Sequence, residues 1–107
     1  MSSRSSDPQL TVIRWRDIPA QVVAKRGRES AKRELSARFQ VAIDRAAMYA
    51  GLFGTDEYLA EWQRDTTPCG GDLEVEAATM AARLEAQFSS EVLNELAGNG
   101  GWRPADS

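Results

Sequence analysis

The apolar residues of this chain change period once, and that change limits the folds open to it. Over Leu10-Thr11-Val12-Ile13-Arg14-Trp15-Arg16 the side chains alternate. Thr11, Ile13 and Trp15 fall on one face, and Val12, Arg14 and Arg16 on the other. Asp17-Ile18-Pro19 is a turn signal, because Pro19 fixes φ and donates no ladder hydrogen bond, so it belongs at a connection or an edge. Ala20-Gln21-Val22-Val23-Ala24-Lys25 reads as a second strand, and the pair as a β-hairpin. Gly27 ends that strand. From about Glu29 the period becomes helical, with Leu35, Phe39, Ala42, Ile43, Ala46 and Ala50 recurring at i, i+3/i+4. A hairpin is not stable alone in water and must pack on helices or on another strand.

Local signals divide the rest. Gly51 can take the left-handed conformation that closes a helix, with Leu52 folding back on its last turn. Thr55 reads as an N-cap, with Asp56 and Glu57 at the positive end of the helix dipole. The short helix that follows carries Tyr58, Leu59 and Trp62 and stops before Thr67-Pro68-Cys69-Gly70-Gly71. Asp72 caps a third helix striped by Leu73, Ala77, Met80, Ala81, Leu84 and Phe88. Ser89 or Ser90 caps a fourth with Val92, Leu93 and Leu96, stopped by Gly98, after which Trp102 docks back on the core and the last residues fray. The expected order is β-β-α-α-α-α. The 107 residues suit a single small α+β domain over residues 9–103, an N-terminal β-hairpin packed on about four helices, preceded by a flexible tail over residues 1–8.

What is missing excludes whole classes of chemistry. The chain has no histidine and one cysteine. A Ser-His-Asp or Cys-His arrangement cannot be assembled from it, nor a protein-ligated zinc, haem or iron–sulfur site, so no metal or cofactor is expected. Cys69 cannot form an internal disulfide, which suits a reducing cytosol. No apolar run approaches the roughly 18 residues needed to cross a bilayer. The Ser-rich start has no signal-peptide core, and a cytoplasmic location is expected. Charge is unevenly placed. Residues 1–50 carry a net +5 and residues 51–107 a net −8, which together give −3. Such halves can pair within one fold or face separate partners.

Four groups of residues are candidates for function. Cys69-Gly70-Gly71 lies just before a helix start, where dipole and backbone N–H groups can lower a thiol pKa or hold an anion. No base accompanies it, and a small half-buried cysteine in a connection is the plainer reading. Arg14, Arg16, Lys25, Arg26, Arg28, Lys32 and Arg33, with Trp15 among them, form a basic cluster of the kind an RNA-binding sheet uses, but the pI of 4.9 argues for a solvated face partly neutralised by the acidic half. Glu57, Glu61 and Asp65 repeat at i, i+4, i+8, a spacing that suits acid–base work or a hard cation and, more plainly, a solvated helix face. Trp15, Trp62 and Trp102 are large enough to anchor either a core or an interface.

The runs Val12-Ile13-Arg14-Trp15-Arg16-Asp17-Ile18-Pro19-Ala20-Gln21-Val22, Arg38 to Met48, Tyr58-Leu59-Ala60-Glu61-Trp62 and Pro68-Cys69-Gly70 resemble the bacterial virulence factor domain, as found in conserved virulence factor C proteins. The likeness runs from about Leu10 to Trp102. It implies no catalytic residues. It implies an interaction role, since larger relatives join the domain to helical repeats and a scaffold-like domain, and stand-alone members resemble components encoded beside folate- and corrinoid-dependent one-carbon enzymes. The expected function is a small non-catalytic protein-interaction module or accessory subunit, with a partner surface built from Arg14, Trp15, Arg16, Ile18 and Pro19. The alternatives are a ligand-binding protein or enzyme using the Cys69-Gly70-Gly71 turn, and RNA binding through the basic hairpin.

Overall fold

The computed structural model describes residues 7–103. Residues 1–6 of the expected tail and the last four residues lie outside the described residues. The chain is α+β, and its sheet has four antiparallel strands in the order β3-β2-β1-β4. They are β1 (Gln9–Trp15), β2 (Ile18–Arg26), β3 (Glu29–Glu34) and β4 (Trp62–Pro68). The helices are α1 (Ala37–Tyr49), α2 (Asp56–Ala60), α3 (Leu73–Gln87) and α4 (Ser90–Gly98).

The expected hairpin is β1–β2, closed by the two-residue turn Arg16-Asp17, with Trp15 opposite Ile18. Arg16 takes φ +52°, a conformation that L-residues other than Asn and Asp rarely adopt, and it is the only non-glycine among the described residues to do so. Pro19 is neither in the connection nor at an edge, the two places expected for it. It lies within β2 at a bulge, where Ile13 pairs with Gln21 and Arg14 with Pro19, leaving Ala20 as the extra residue. The bulge is what lets a strand carry a residue with no N–H to give.

Two strands differ from the sequence reading. Glu29–Glu34 was expected to begin the first helix and instead forms β3, with α1 starting only at Ala37. Of its six residues Ala31 alone is buried, as suits a charged edge strand. Trp62–Pro68 was expected as the end of a helix and its break. It is instead β4, the opposite edge, pairing with β1 from Gln9↔Pro68 to Trp15↔Trp62.

The caps follow the residues that predict them. Thr55, Asp72 and Ser89 each accept a hydrogen bond from the backbone N–H three residues on. Helix α1 closes with Leu52 N–H on Ala47 O at 2.8 Å and Gly51 N–H on Met48 O at 3.1 Å, a Schellman motif with Gly51 at φ +74°. Helix α4 closes the same way, Gly101 N–H on Leu96 O at 2.7 Å and Gly100 N–H on Ala97 O at 3.1 Å.

The sheet has a covered and an uncovered face. Leu10, Val22, Ala24 and Ala31 are buried on one side, with Val12 packed beside them, and α3 lies against β2 and β3 there. Helices α1 and α4 pack on each other, and α1 also meets β2. Phe39 and Phe88, their ring centroids 6.0 Å apart, join α1 to the end of α3. The N-terminus of α1 has no cap from its own Ser36 side chain. Glu85 of α3 supplies the carboxylate instead, accepting from Ser36 N–H at 2.6 Å and from the Ser36 hydroxyl at 3.0 Å, while Arg38 donates to Glu85 at 2.8 Å. Among the described residues no helix lies over most of the opposite sheet face.

Candidate functional site

The hairpin turn, the expected partner surface, is mostly interior. Trp15 and Ile18 have no solvent exposure, and Pro19 is buried. Trp15 Nε1 donates to Tyr58 O at 2.8 Å, and the rings of Trp15 and Tyr58 lie 5.5 Å apart. The Arg16 guanidinium is stacked between the rings of Trp15 and Trp102, 5.0 Å from each centroid. It donates to Gly100 O at 2.9 Å and lies 3.6 Å from Glu61. Arg16 Nε, by contrast, is buried with no hydrogen-bond partner among the described residues. Asp17 N–H reaches Gly101 O at 2.8 Å, and Asp17 Oδ2 accepts from Arg103 N–H at 2.7 Å. The cluster is a clasp fastening the chain after α4 to the hairpin. Arg14 is half-buried and held by Asp65, Nε to Oδ2 at 2.5 Å, which keeps that carboxyl below the usual range through the Arg14 hydrogen bond. The five residues are brought together, but three of them face inward.

The Cys69 turn is occupied by the protein itself. Burial, and then the nearby Glu76 carboxylate, push the Cys69 thiol above its ordinary value, the opposite of an activated nucleophile. A Cβ on Gly70 would stand 2.7 Å from Glu76 Oε2, and one on Gly71 would stand 3.3 Å from Arg26 Nη1. An acidic oxygen therefore stands close to Gly70, where its charge disfavours an anion.

Glu57, Glu61 and Asp65 do not share a helical face. Glu57 is on α2, Glu61 caps its end beside Arg16, and Asp65 is on β4 with Arg14. Among the described residues no group of three or more acidic or cysteine side chains is placed to hold a metal ion. The basic cluster is likewise divided. Arg14, Arg16, Arg26 and Arg33 are paired with Asp65, Glu61, Glu29 and Glu74.

Two surfaces remain open. The first is the uncovered sheet face. Register places Lys32, Val23, Thr11 and Thr66 in one cross-strand row, and Glu34, Gln21, Ile13 and Arg64 in the next. Ser30 and Lys25 lie beyond the first row, and Trp62 beyond the second. Ile13 and Val23 are half-buried but are not packed against the core. Thr11 and Thr66 join their hydroxyls across it at 2.9 Å. Where this face meets α1, a groove of about 470 Å³ is lined by Ile13, Leu35 and Trp62, with Gln21, Glu34 and Gln40 at its polar edge.

The second surface runs from the end of α1 to α2. Met48, Tyr49, Phe53 and Leu59 are each 60–69% exposed, four large apolar side chains within twelve residues. Phe53 stands edge-on to Tyr58, at 6.3 Å between ring centroids. Sequence reasoning passed over this segment. The signal was that Met48 and Tyr49 fall off the stripe that α1 buries, so no element of the chain claims them.

Among the described residues no helix is long and apolar enough to cross a membrane. The sequence model of the family described as virulence factor matches residues 13–97. No curated protein and no solved structure matches the chain.

Proposed function

The chain belongs to the virulence factor family, and from that premise we propose that it is a small non-catalytic protein-interaction module or accessory subunit acting in the cytoplasm. The observation that carries this reading is the exposed apolar segment Met48, Tyr49, Phe53 and Leu59. Large apolar groups left in water by a folded chain mark places where another protein is bound. The family resemblance supports a setting in folate- or corrinoid-dependent one-carbon metabolism, with any cofactor held by the partner.

The other two readings have less support. An enzyme built on Cys69-Gly70-Gly71 needs a depressed thiol pKa and an open turn, and the thiol is raised and the turn faces Glu76. RNA binding through the hairpin relied on Arg14 and Arg16, and both are engaged by carboxylates.

The test is affinity purification of the tagged chain from its own cells, with mass spectrometry, beside a Met48→Ser/Tyr49→Ser/Phe53→Ser variant. All three side chains are exposed, so the fold is expected to survive. A stoichiometric partner lost in the variant is the expected result. A chain that retains nothing at low salt overturns the reading; a partner that ignores the variant overturns only the assignment of the apolar segment as its site.

A further inference from the structure

Charge is distributed differently over the two faces of the sheet. The protein is acidic overall, at −3. The arginines on the covered sheet face, and Arg16 in the first hairpin turn, are each matched with a carboxylate, Arg14 with Asp65, Arg16 with Glu61, Arg26 with Glu29 and Arg33 with Glu74. On the uncovered face Lys25, Lys32 and Arg64 are all exposed and are in no ion pair with any described residue. Glu34 is the one carboxylate on that face in the strand register, and it sits at the groove end. An acidic chain thus presents a basic face, at a place where desolvating it would leave the cations without partners unless the incoming surface supplies carboxylates.

The floor between those cations decides what kind of partner fits. Val23 and Ile13 lie exposed in part beside Thr11 and Gln21 and lead to Trp62 in the groove, so the middle of the face is uncharged and partly apolar, with Lys32 and Arg64 on the two edge strands and Lys25 near the end of β2. Adjacent strands are about 4.8 Å apart and successive rows on one face about 7 Å, so the three cations bracket a strip wide enough for one polypeptide segment. A single-stranded nucleic acid requires stacking platforms, and no aromatic ring stands in the rows that hold Lys25, Lys32 and Arg64. We propose that the uncovered sheet face is a docking surface for an acidic, partly apolar segment of a partner protein, its carboxylates meeting Lys25, Lys32 and Arg64 and an apolar side chain entering the groove beside Trp62. This rests on the interaction reading above and names the chemistry of the partner.

The test places the photo-crosslinking residue p-benzoylphenylalanine, one position at a time, at Thr66 and Val23 on the sheet face, at Tyr49 on the apolar segment, and at Thr79 on α3 as a control. The full-length protein is irradiated in its own cells, and the cross-linked peptides are sequenced by mass spectrometry. The expected result is cross-linking from Thr66 and Val23 to a segment of another protein with excess Asp and Glu, none from Thr79, and at least a tenfold loss of yield when Lys25→Glu, Lys32→Glu and Arg64→Glu are combined. The neutral triple variant Lys25→Gln/Lys32→Gln/Arg64→Gln is run alongside, and an intermediate loss is expected in case charge reversal disturbs the sheet. No cross-link from the sheet positions, a neutral or basic target, RNA, a second copy of this chain, or a yield indifferent to both triple variants overturns the proposal. Cross-linking from Tyr49 alone overturns the proposal and leaves the interaction reading standing. Silence at every position overturns both.

Discussion

Gly101→Ala should be among the most damaging single methyl additions to this chain, because two independent penalties meet there. Gly101 has φ +95°, outside the range that L-residues adopt readily, which costs about 1–2 kcal/mol. The new Cβ would stand 2.9 Å from Cζ3 and 3.1 Å from Cε3 of Trp15, and 3.3 Å from Cβ of Arg16. The ring cannot yield, since Trp15 is fully buried, tied to Tyr58 O and stacked on Arg16. Overpacking of this kind adds about 1–3 kcal/mol. The total of about 2–5 kcal/mol is a large part of the ~5–15 kcal/mol that holds a domain folded. At ~4–8 °C per kcal/mol for a domain of this size, the melting temperature should fall by roughly 10 °C or more.

The companion substitution is Gly98→Ala. Gly98 lies three residues earlier, at the end of α4, with an ordinary φ and nothing within 4 Å of the added atom. There the same methyl should be neutral or stabilise by up to about 1 kcal/mol through helix propensity. Thermal melts and urea titrations of the two variants, with unchanged m-values, are the assay. If Gly101→Ala melts within about 3 °C of the parent, or if both variants shift alike, the clasp described around Trp15 and Arg16 is incorrect.

Arg16→Ala should destabilise more than Arg16→Gly, by about 1 kcal/mol, because both lose the stacked guanidinium but glycine alone is relieved of the positive φ; equal losses in urea titrations would refute this. Burial pushes the Glu85 carboxyl up, but the Ser36 N–H and hydroxyl and the Arg38 guanidinium outweigh it and hold the group below its ordinary value. Its contribution is therefore fully present above about pH 4.3, the unfolded value, and is lost as pH falls through the folded value, so Glu85→Gln should flatten the drop in stability between about pH 5 and 3. The raised Cys69 thiol should react with iodoacetamide at pH 8 more slowly in the native chain than in urea; faster native alkylation would revive the Cys69 turn as a chemical site.

What the sequence disclosed and what it hid follow from burial. Helix α1, the caps at Thr55, Asp72 and Ser89, and strands β1 and β2 were legible because each buries a periodic set or shows a specific terminal residue. Strands β3 and β4 were not, because edge strands here bury almost nothing. Glu29–Glu34 hides Ala31 alone, and β4 has six exposed residues after Trp62. Edge strands are kept polar and charged to deter stray pairing, which removes the alternation that would announce them. The carboxylate spacing Glu57, Glu61, Asp65 then imitated a helix across what is a helix end and a strand. Three residues of the expected partner surface proved to be interior for a related reason. Trp15, Ile18 and Pro19 flank a turn, where exposure is the ordinary assumption, but all three are buried, and the chain after α4 returns to the turn with Gly101 against Trp15 and Trp102 over Arg16.

The segregated charge can now be apportioned. Among the described residues, Arg14–Asp65, Arg16–Glu61, Arg33–Glu74 and Arg38–Glu85 each join a cation from residues 1–50 to a carboxylate from residues 51–107. Only Arg26–Glu29 stays within the first half. The basic and acidic halves thus neutralise each other in part. Exposed pairs of this kind add little stability singly, about 0–1 kcal/mol. Their use is in pairing distant segments correctly. Arg14–Asp65 sits between β1 and β4, which are separated by four other elements in the chain, and Glu85 meets both the start of α1 and Arg38 within it. A charge asymmetry in sequence is therefore weak evidence of a partner until internal pairing has been subtracted. On the sheet, what survives the subtraction is three cations on one uncovered face. That residue of unmatched charge, rather than the asymmetry as a whole, points outward from this fold.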